Sequence, residues 1–212
     1  MRPTDVFNKY AGNPIITAES IPYPADLAYN CGATKFGGRY VMAVRVDHWP
    51  NGHPSGPCIK NIALAWSEDG FDFEVGPRPI LEAGPEENDC VYDPRLTCLE
   101  GTLYLCYATD TPHGIRSGLA VSTDGEHFEK VYLSEPDNRN AVMFPERVSG
   151  LLVRLDRPFA RIYKRERPFD IWLSRSPDGR YWGDHRLRLT AEDNGWSDDK
   201  IGPAAPPIRT DA

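Results

Sequence analysis

Three segments of the chain repeat one pattern. NIALAWSEDGFDFEV (61–75), SGLAVSTDGEHFEKV (117–131) and FDIWLSRSPDGRYWGDH (169–185) each run as an apolar strand, then Ser-x-Asp-Gly, then an aromatic residue three places after the glycine. Asp69, Asp124 and Asp178 recur at about 55 residues, a period that marks propellers and solenoids. Asp-Gly between apolar runs predicts a hairpin, because glycine readily takes the positive φ that such a turn needs. Phe73, Phe128 and Trp182 are expected to pack the second strand of each hairpin against the neighbouring blade.

A second set of strands interleaves with the first. KFGGRYVMAVRV (35–46), LEGTLYLCYAT (99–109) and VSGLLVRLDRP (148–158) each place a glycine turn before an alternating apolar strand. Four strands per period make a propeller blade, and long helical periodicity is absent throughout. The expected fold is therefore all-β, a β-propeller, with residues 1–212 in one domain. The repeat accounts for about three blades, fewer than the four to eight that close a propeller. GPAAPPIRTDA (202–212) reads as the first strand of a further unit, so an incomplete propeller is expected.

Composition narrows the function classes. Pro 20, Gly 18 and 11% aromatic residues suit many turns and short strands. A net charge of -7 argues against a general nucleic-acid surface, so any phosphate must be met by a local cluster of Arg and Lys. No stretch approaches the roughly 20 apolar residues of a membrane span. MRPTDVFNKYAGNPII carries no apolar signal region. Cys31, Cys58, Cys90, Cys98 and Cys106 are odd in number and form no CxxC pair, so they read as reduced, mostly buried thiols of a cytoplasmic protein. The five histidines lack ligand spacing, and no metal site or cofactor is expected. A homo-oligomer is left open.

Propellers bind ligands where their innermost strands meet. Four polar segments beside Gly or Pro, each read as preceding such a strand, are candidates: Asn30-Cys31-Gly32-Ala33, Tyr92-Asp93-Pro94-Arg95, Phe144-Pro145-Glu146-Arg147 and Lys200-Ile201-Gly202-Pro203. One such segment is a turn; four in register around an axis describe a polar pocket.

The motifs NPII (13–16), NCGAT (30–34), YDPRLT (92–97), NRNAVMFPERVSG (138–150), LDRP (155–158) and WSDDKIGPAAPPI (196–208) occur in that order. Together they resemble glycoside hydrolase family 130, the mannoside phosphorylases and related mannosidases. The resemblance implies a five-bladed propeller with an axial active site, of which this chain holds about the first two-thirds. It implies that Asp93 is the single catalytic acid and that Tyr92 lines the sugar site. It further implies that Asn30, Arg45 and Lys200 hold the mannose nearest the scissile bond, and that Arg139 and Arg157 bind inorganic phosphate. Arg116 is a weaker candidate for the phosphate or acceptor side. The implied partners are a β-mannoside oligosaccharide and phosphate, with phosphate as co-substrate.

The chemistry agrees with that pattern. An inverting glycosidase needs an acid for the leaving oxygen and a base for water. Phosphate is already an anion, so a phosphorolytic enzyme keeps one acid and replaces the base with cations. A water-using β-mannosidase and a catalytically silent sugar-binding propeller are the alternatives. Each residue also has a structural reading. Asp93 can be a turn residue before proline, Arg157 can ion-pair with Asp156 or Glu146, and Arg139 stands in the polar run EPDNRN and can be solvated. The Pro/Gly-rich stretch PNGHPSGPCI (50–59) departs from the family pattern, as does the absence of a later histidine and a later acidic residue.

Asp93 carries the sharpest expectation. Pro94 should push it toward an extended backbone, Tyr92 should shield it, and a bulge at Pro94 should turn Arg95 away.

Overall fold

The computed structural model describes residues 8–159, 169–192 and 200–211, with the backbone of 161–162 and 165–166. Its strands are β1 (Leu27–Phe36), β2 (Arg39–His48), β3 (Ile59–Ser67) and β4 (Glu74–Val75), then β5 (Val91–Leu99), β6 (Thr102–Thr111), β7 (Gly114–Ser122) and β8 (Glu129–Leu133). A third group follows: β9 (Asn138–Met143), β10 (Leu152–Pro158), the short hairpin β11 (Arg161–Ile162) and β12 (Arg165–Glu166), then β13 (Ile171–Ser176) and β14 (Gly183–Leu189). They form three four-stranded sheets, β1-β2-β3-β4, β5-β6-β7-β8 and β9-β10-β13-β14, all paired antiparallel. Each is a propeller blade, with β1, β5 and β9 innermost. A 3-10 turn, Ala18–Ser20, precedes them. No helix among the described residues is long and apolar enough to cross a membrane.

The Ser-x-Asp-Gly motifs occupy the same turn in every blade, between its third and fourth strands. Gly70, Gly125 and Gly179 stand at φ 83°, 79° and 82°, and their amides donate to Ser67, Ser122 and Ser176 Oγ. The aspartate oxygen of each motif accepts the two following amides: Phe71 and Asp72 on Asp69, Glu126 and His127 on Asp124, Arg180 and Tyr181 on Asp178. These donors hold all three carboxyls below the ordinary aspartate range.

Alternation along the strands buries one face of each blade against its neighbour. Val41, Ala43, Ile62 and Leu64 of the first blade meet Leu103, Leu105, Tyr107 and Ala120 of the second, with Phe128 packed on this cluster. Leu99, Cys106 and Leu119 meet Ala141, Met143 and Leu152 of the third, with Trp182 alongside. Each fully buried aliphatic side chain contributes about 1.5–3 kcal/mol of transfer free energy. Phe128 and Trp182 therefore bridge blades as expected; Phe73 is half-buried and lies in neither cluster.

Four expectations change. Phe144–Arg147 does not precede an innermost strand but follows one: β9 begins at Asn138, and the Phe144–Gly150 connection lies at the opposite end, where Arg147 pairs with Glu100 at 3.1 Å. The polar run Asn138-Arg139-Asn140 is itself strand, disguised because an innermost strand presents polar residues to the axis. Residues 202–211 form no strand; Pro203, Pro206 and Pro207 lack the amide a ladder needs, and Ala204–Pro206 share a cleft with Asn30–Ala33 and Arg95. Of the cysteines only Cys90 and Cys106 are buried, and Cys31 is exposed.

Candidate active site

The same irregularity interrupts all three innermost strands. Tyr29 opposes Arg45 and Gly32 opposes Ala43; Tyr92 opposes Ala108 and Arg95 opposes Cys106; Arg139 opposes Arg157 and Val142 opposes Leu155. Two residues thus face one in each blade, which is a β-bulge. The first bulged residue is Asn30, Asp93 or Asn140, at φ 48°, 52° and 58°. Asn and Asp tolerate this left-handed region better than other side-chain-bearing residues. Each bulge re-aims its side chain out of the strand's alternation. The backbones also approach closely: a Cβ on Gly32 would stand 2.6 Å from Leu96 N and 2.8 Å from Arg95 Cα.

Asp93 is held by donors, where apolar shielding was expected. Asn30 Nδ2 and Arg45 Nη1 both donate to its Oδ1, at 2.8 and 3.0 Å. Its Oδ2 accepts no hydrogen bond among the described residues, so one oxygen is anchored and the other is not. Arg45 is fixed in turn. It grips Asp47 through two bonds of 2.8 Å and lies between the rings of Tyr29 and Tyr92, 4.6 and 4.9 Å from their centroids. Tyr92 donates to Asp110 Oδ1 at 2.6 Å. Burial, reinforced by that bond, raises its phenol pKa, so Tyr92 remains a neutral donor.

A cationic group faces this acid. Arg139 and Arg157 pair across β9 and β10, and the charges of Arg139, Asp93 and Arg95 all act on Arg157. Arg157 is 7% exposed. Burial first, then Arg139 and Arg95, lower its pKa; Asp93 is the one carboxylate that opposes them. The Nε atoms of Arg95, Arg139 and Arg157 are all buried without a hydrogen-bond partner among the described residues. Native structures seldom leave buried donors unsatisfied, and here three arginines each keep one such donor. The guanidinium of Arg139 lies 5.3 Å from the Phe159 ring and that of Arg157 5.7 Å from the Phe169 ring. Arg157 pairs with neither Asp156 nor Glu146, whose partners are Arg154 and Arg209.

The remaining residues divide. Lys200 is exposed and bridges to Phe169, and the segment carrying it closes on the arginines: a Cβ on Gly202 would meet Arg157 Nη1 at 3.0 Å. Arg116 stands on β7, third strand from the axis, and donates to the Ser134 and Leu133 carbonyls, which does not bring it to Asp93. Trp196–Asp199 of the last motif lie outside the described residues. The required bulge at Pro94 is present, yet Arg95 does not leave the site. Its Nη1 turns back to the Pro94 carbonyl at 2.9 Å and its charge still reaches Arg157. Sequence reading therefore named Arg95 within a candidate segment but turned it the other way, and it did not single out Asn140. The recurrence of Asn or Asp at one bulge position was the signal for Asn140.

The family model for β-1,4-mannooligosaccharide phosphorylases matches residues 4–212. The chain belongs to glycoside hydrolase family 130. The β-1,4-mannooligosaccharide phosphorylase of Ruminococcus albus is 29% identical, over 97% of this chain and 62% of that protein's length. The chain thus spans less than two-thirds of that relative. Among solved structures, the β-1,2-mannobiose phosphorylase of Listeria innocua, in complex with β-1,2-mannobiose, superimposes with a TM-score of 0.80 at 21% identity, covering 95% of this chain and 71% of that one. A family 130 structure described with glycoside hydrolases that target β-1,2-mannosidic linkages in Candida mannan gives 0.65 at 16% identity, covering 85% and 59%. The family 130 neighbours are five-bladed propellers, and this chain supplies three such blades.

Proposed function

We propose that the protein is an inverting phosphorylase that cleaves β-mannosides with inorganic phosphate and releases mannose 1-phosphate. The observation that carries this reading is the set of three arginines with unpartnered Nε atoms around a single acid. A hydrolase has no need to gather buried cations where its nucleophile enters. A phosphorylase needs them, because the incoming nucleophile is an anion that must lose water and be aligned.

In this reading Asp93 supplies the proton. With Oδ1 fixed by Asn30 and Arg45, Oδ2 faces the sugar and delivers the proton toward the glycosidic oxygen, through a sugar hydroxyl where the gap requires one. Arg139 and Arg157, joined by Arg95, hold phosphate on the opposite face of the sugar ring. Phosphate displaces the protonated leaving group and inverts the anomeric centre. Asn30, Arg45, Tyr92 and Lys200 position the mannose. Reduced cysteines and a phosphorylated product suited to retention inside a cell favour a cytoplasmic role in carbohydrate metabolism.

The test is release of mannose 1-phosphate from short β-1,4- and β-1,2-mannosides, with and without phosphate. Phosphate-dependent release supports the proposal. Equal turnover without phosphate, giving free mannose, identifies a β-mannosidase and overturns it.

A further inference from the structure

Between the second and third blades lies a cleft of about 670 Å³. It lies where the repeat departs from itself. Opposite the bulge of the second blade stands Tyr107, whose ring fills the space over its cross-strand partner Gly118, to within 2.1 Å of where a Cβ would be. The corresponding pair in the third blade is Asp156 opposite Trp172. Two residues earlier, Leu105 of β6 corresponds to Arg154 of β10. The first interface is closed by Leu105 and Tyr107; the second exchanges both for a buried ion pair and leaves a cavity.

That pair is costly to bury. Arg154 and Asp156 are 1% and 2% exposed, with Arg154 Nε 2.9 Å from Asp156 Oδ1. Arg154 lies over Trp182 at 4.0 Å and Tyr132 at 4.7 Å. One acceptor is left over: Asn138 Oδ1 has no hydrogen-bond partner among the described residues, and Asn138 lines the cleft beside the Arg154–Asp156 pair. Trp172 and Tyr181 line it too, and Tyr181 is 75% exposed.

We infer that this cleft is a second, non-catalytic binding site for a β-linked hexopyranoside chain. A buried acceptor without a partner calls for a donor such as a hydroxyl. Flat aromatic faces suit the weakly positive C–H face of a pyranose, as they suit other positive edges. Both arginines of the cleft are already paired, Arg154 with Asp156 and Arg180 with Glu129, so an anionic ligand gains no free cation there. A neutral polyol fits this charge balance. The choice of a mannoside as probe rests on the proposed function; the cleft's affinity for a glycan does not.

The experiment titrates the intact Asp93→Asn protein with β-1,4-mannotetraose by calorimetry and compares it with Asp93→Asn/Tyr181→Ala. Tyr181 is exposed, so its removal leaves the blade packing untouched. The expected result is that one equivalent of binding weakens by roughly tenfold or more in the double variant, while any axial equivalent is unchanged. That loss is readable whether or not the axial site binds, so failure of the phosphorylase reading is seen separately. As a second check, Trp172→Phe should shift the same equivalent and leave turnover of mannobiose by the Asp93 protein unaltered. Identical isotherms for all these variants would overturn the inference.

Discussion

Asn30 Nδ2 donates to Asp93 Oδ1 at 2.8 Å, and the two residues stand at φ 48° and 52° in the same bulge of neighbouring blades. Each blade thus uses one backbone device with its own side chain, and in the proposed reaction the aspartate of the second blade is the one that reacts. Asparagine already serves at this position in the first and third blades, so Asp93→Asn should leave the bulge and the thermal midpoint intact. It removes the transferable proton. Turnover of an unactivated mannoside should fall by about two to four orders of magnitude. Sugar binding, followed by calorimetry, should persist; near-normal turnover would make Asp93 a turn residue only.

Arg157 is buried among like charges, and that arrangement predicts opposed effects on function and stability. Arg157→Met should weaken phosphate by about 1.5–3 kcal/mol, the worth of a hydrogen bond to a charged group, or roughly 10- to 150-fold in its KM. Without phosphate the variant should melt at a higher temperature than the parent, since an uncompensated buried cation has been removed. Thermal melts with and without phosphate, beside initial rates, check both signs.

Gly32 separates packing from chemistry differently. A Cβ there meets the backbone of Pro94–Leu96, which cannot swing aside as a side chain can. Gly32→Ala should therefore destabilise the fold by about 1–3 kcal/mol in urea unfolding and move Asp93 with it. Gly101→Ala, where nothing lies within 4 Å but φ is 74°, should cost only the backbone strain and leave kcat unchanged.

Acid should loosen the turns between third and fourth strands. Asp69, Asp124 and Asp178 titrate below the unfolded aspartate value, so their stabilisation is complete above about pH 4 and is lost as pH falls through the lower folded values. Asp124, which also meets His127 Nδ1 at 2.8 Å, should contribute most. The urea midpoint should drop between about pH 4 and 2, and Asp124→Asn should flatten that fall. A midpoint indifferent to pH in that window would show the turns to be energetically silent.

The blade architecture was legible because its signals are local. Ser67, Asp69 and Gly70 satisfy one another within four residues, and the same letters at 122–125 and 176–179 must make the same turn. Asp93 was singled out only through the resemblance to a family, since Tyr-Asp-Pro-Arg is by itself an ordinary turn. The rest needed the tertiary structure. Arg139 and Asn140 looked like loop because hydrophobic alternation fails on a strand that faces a polar axis. Arg95, two residues from Asp93, was expected to point elsewhere, and only the bulge and the neighbouring blades place its charge beside Arg157. Which oxygen of Asp93 is held depends on Asn30 and Arg45, 63 and 48 residues away in sequence. Local hydrogen bonding writes itself into neighbouring letters; a site assembled from three strand registers does not.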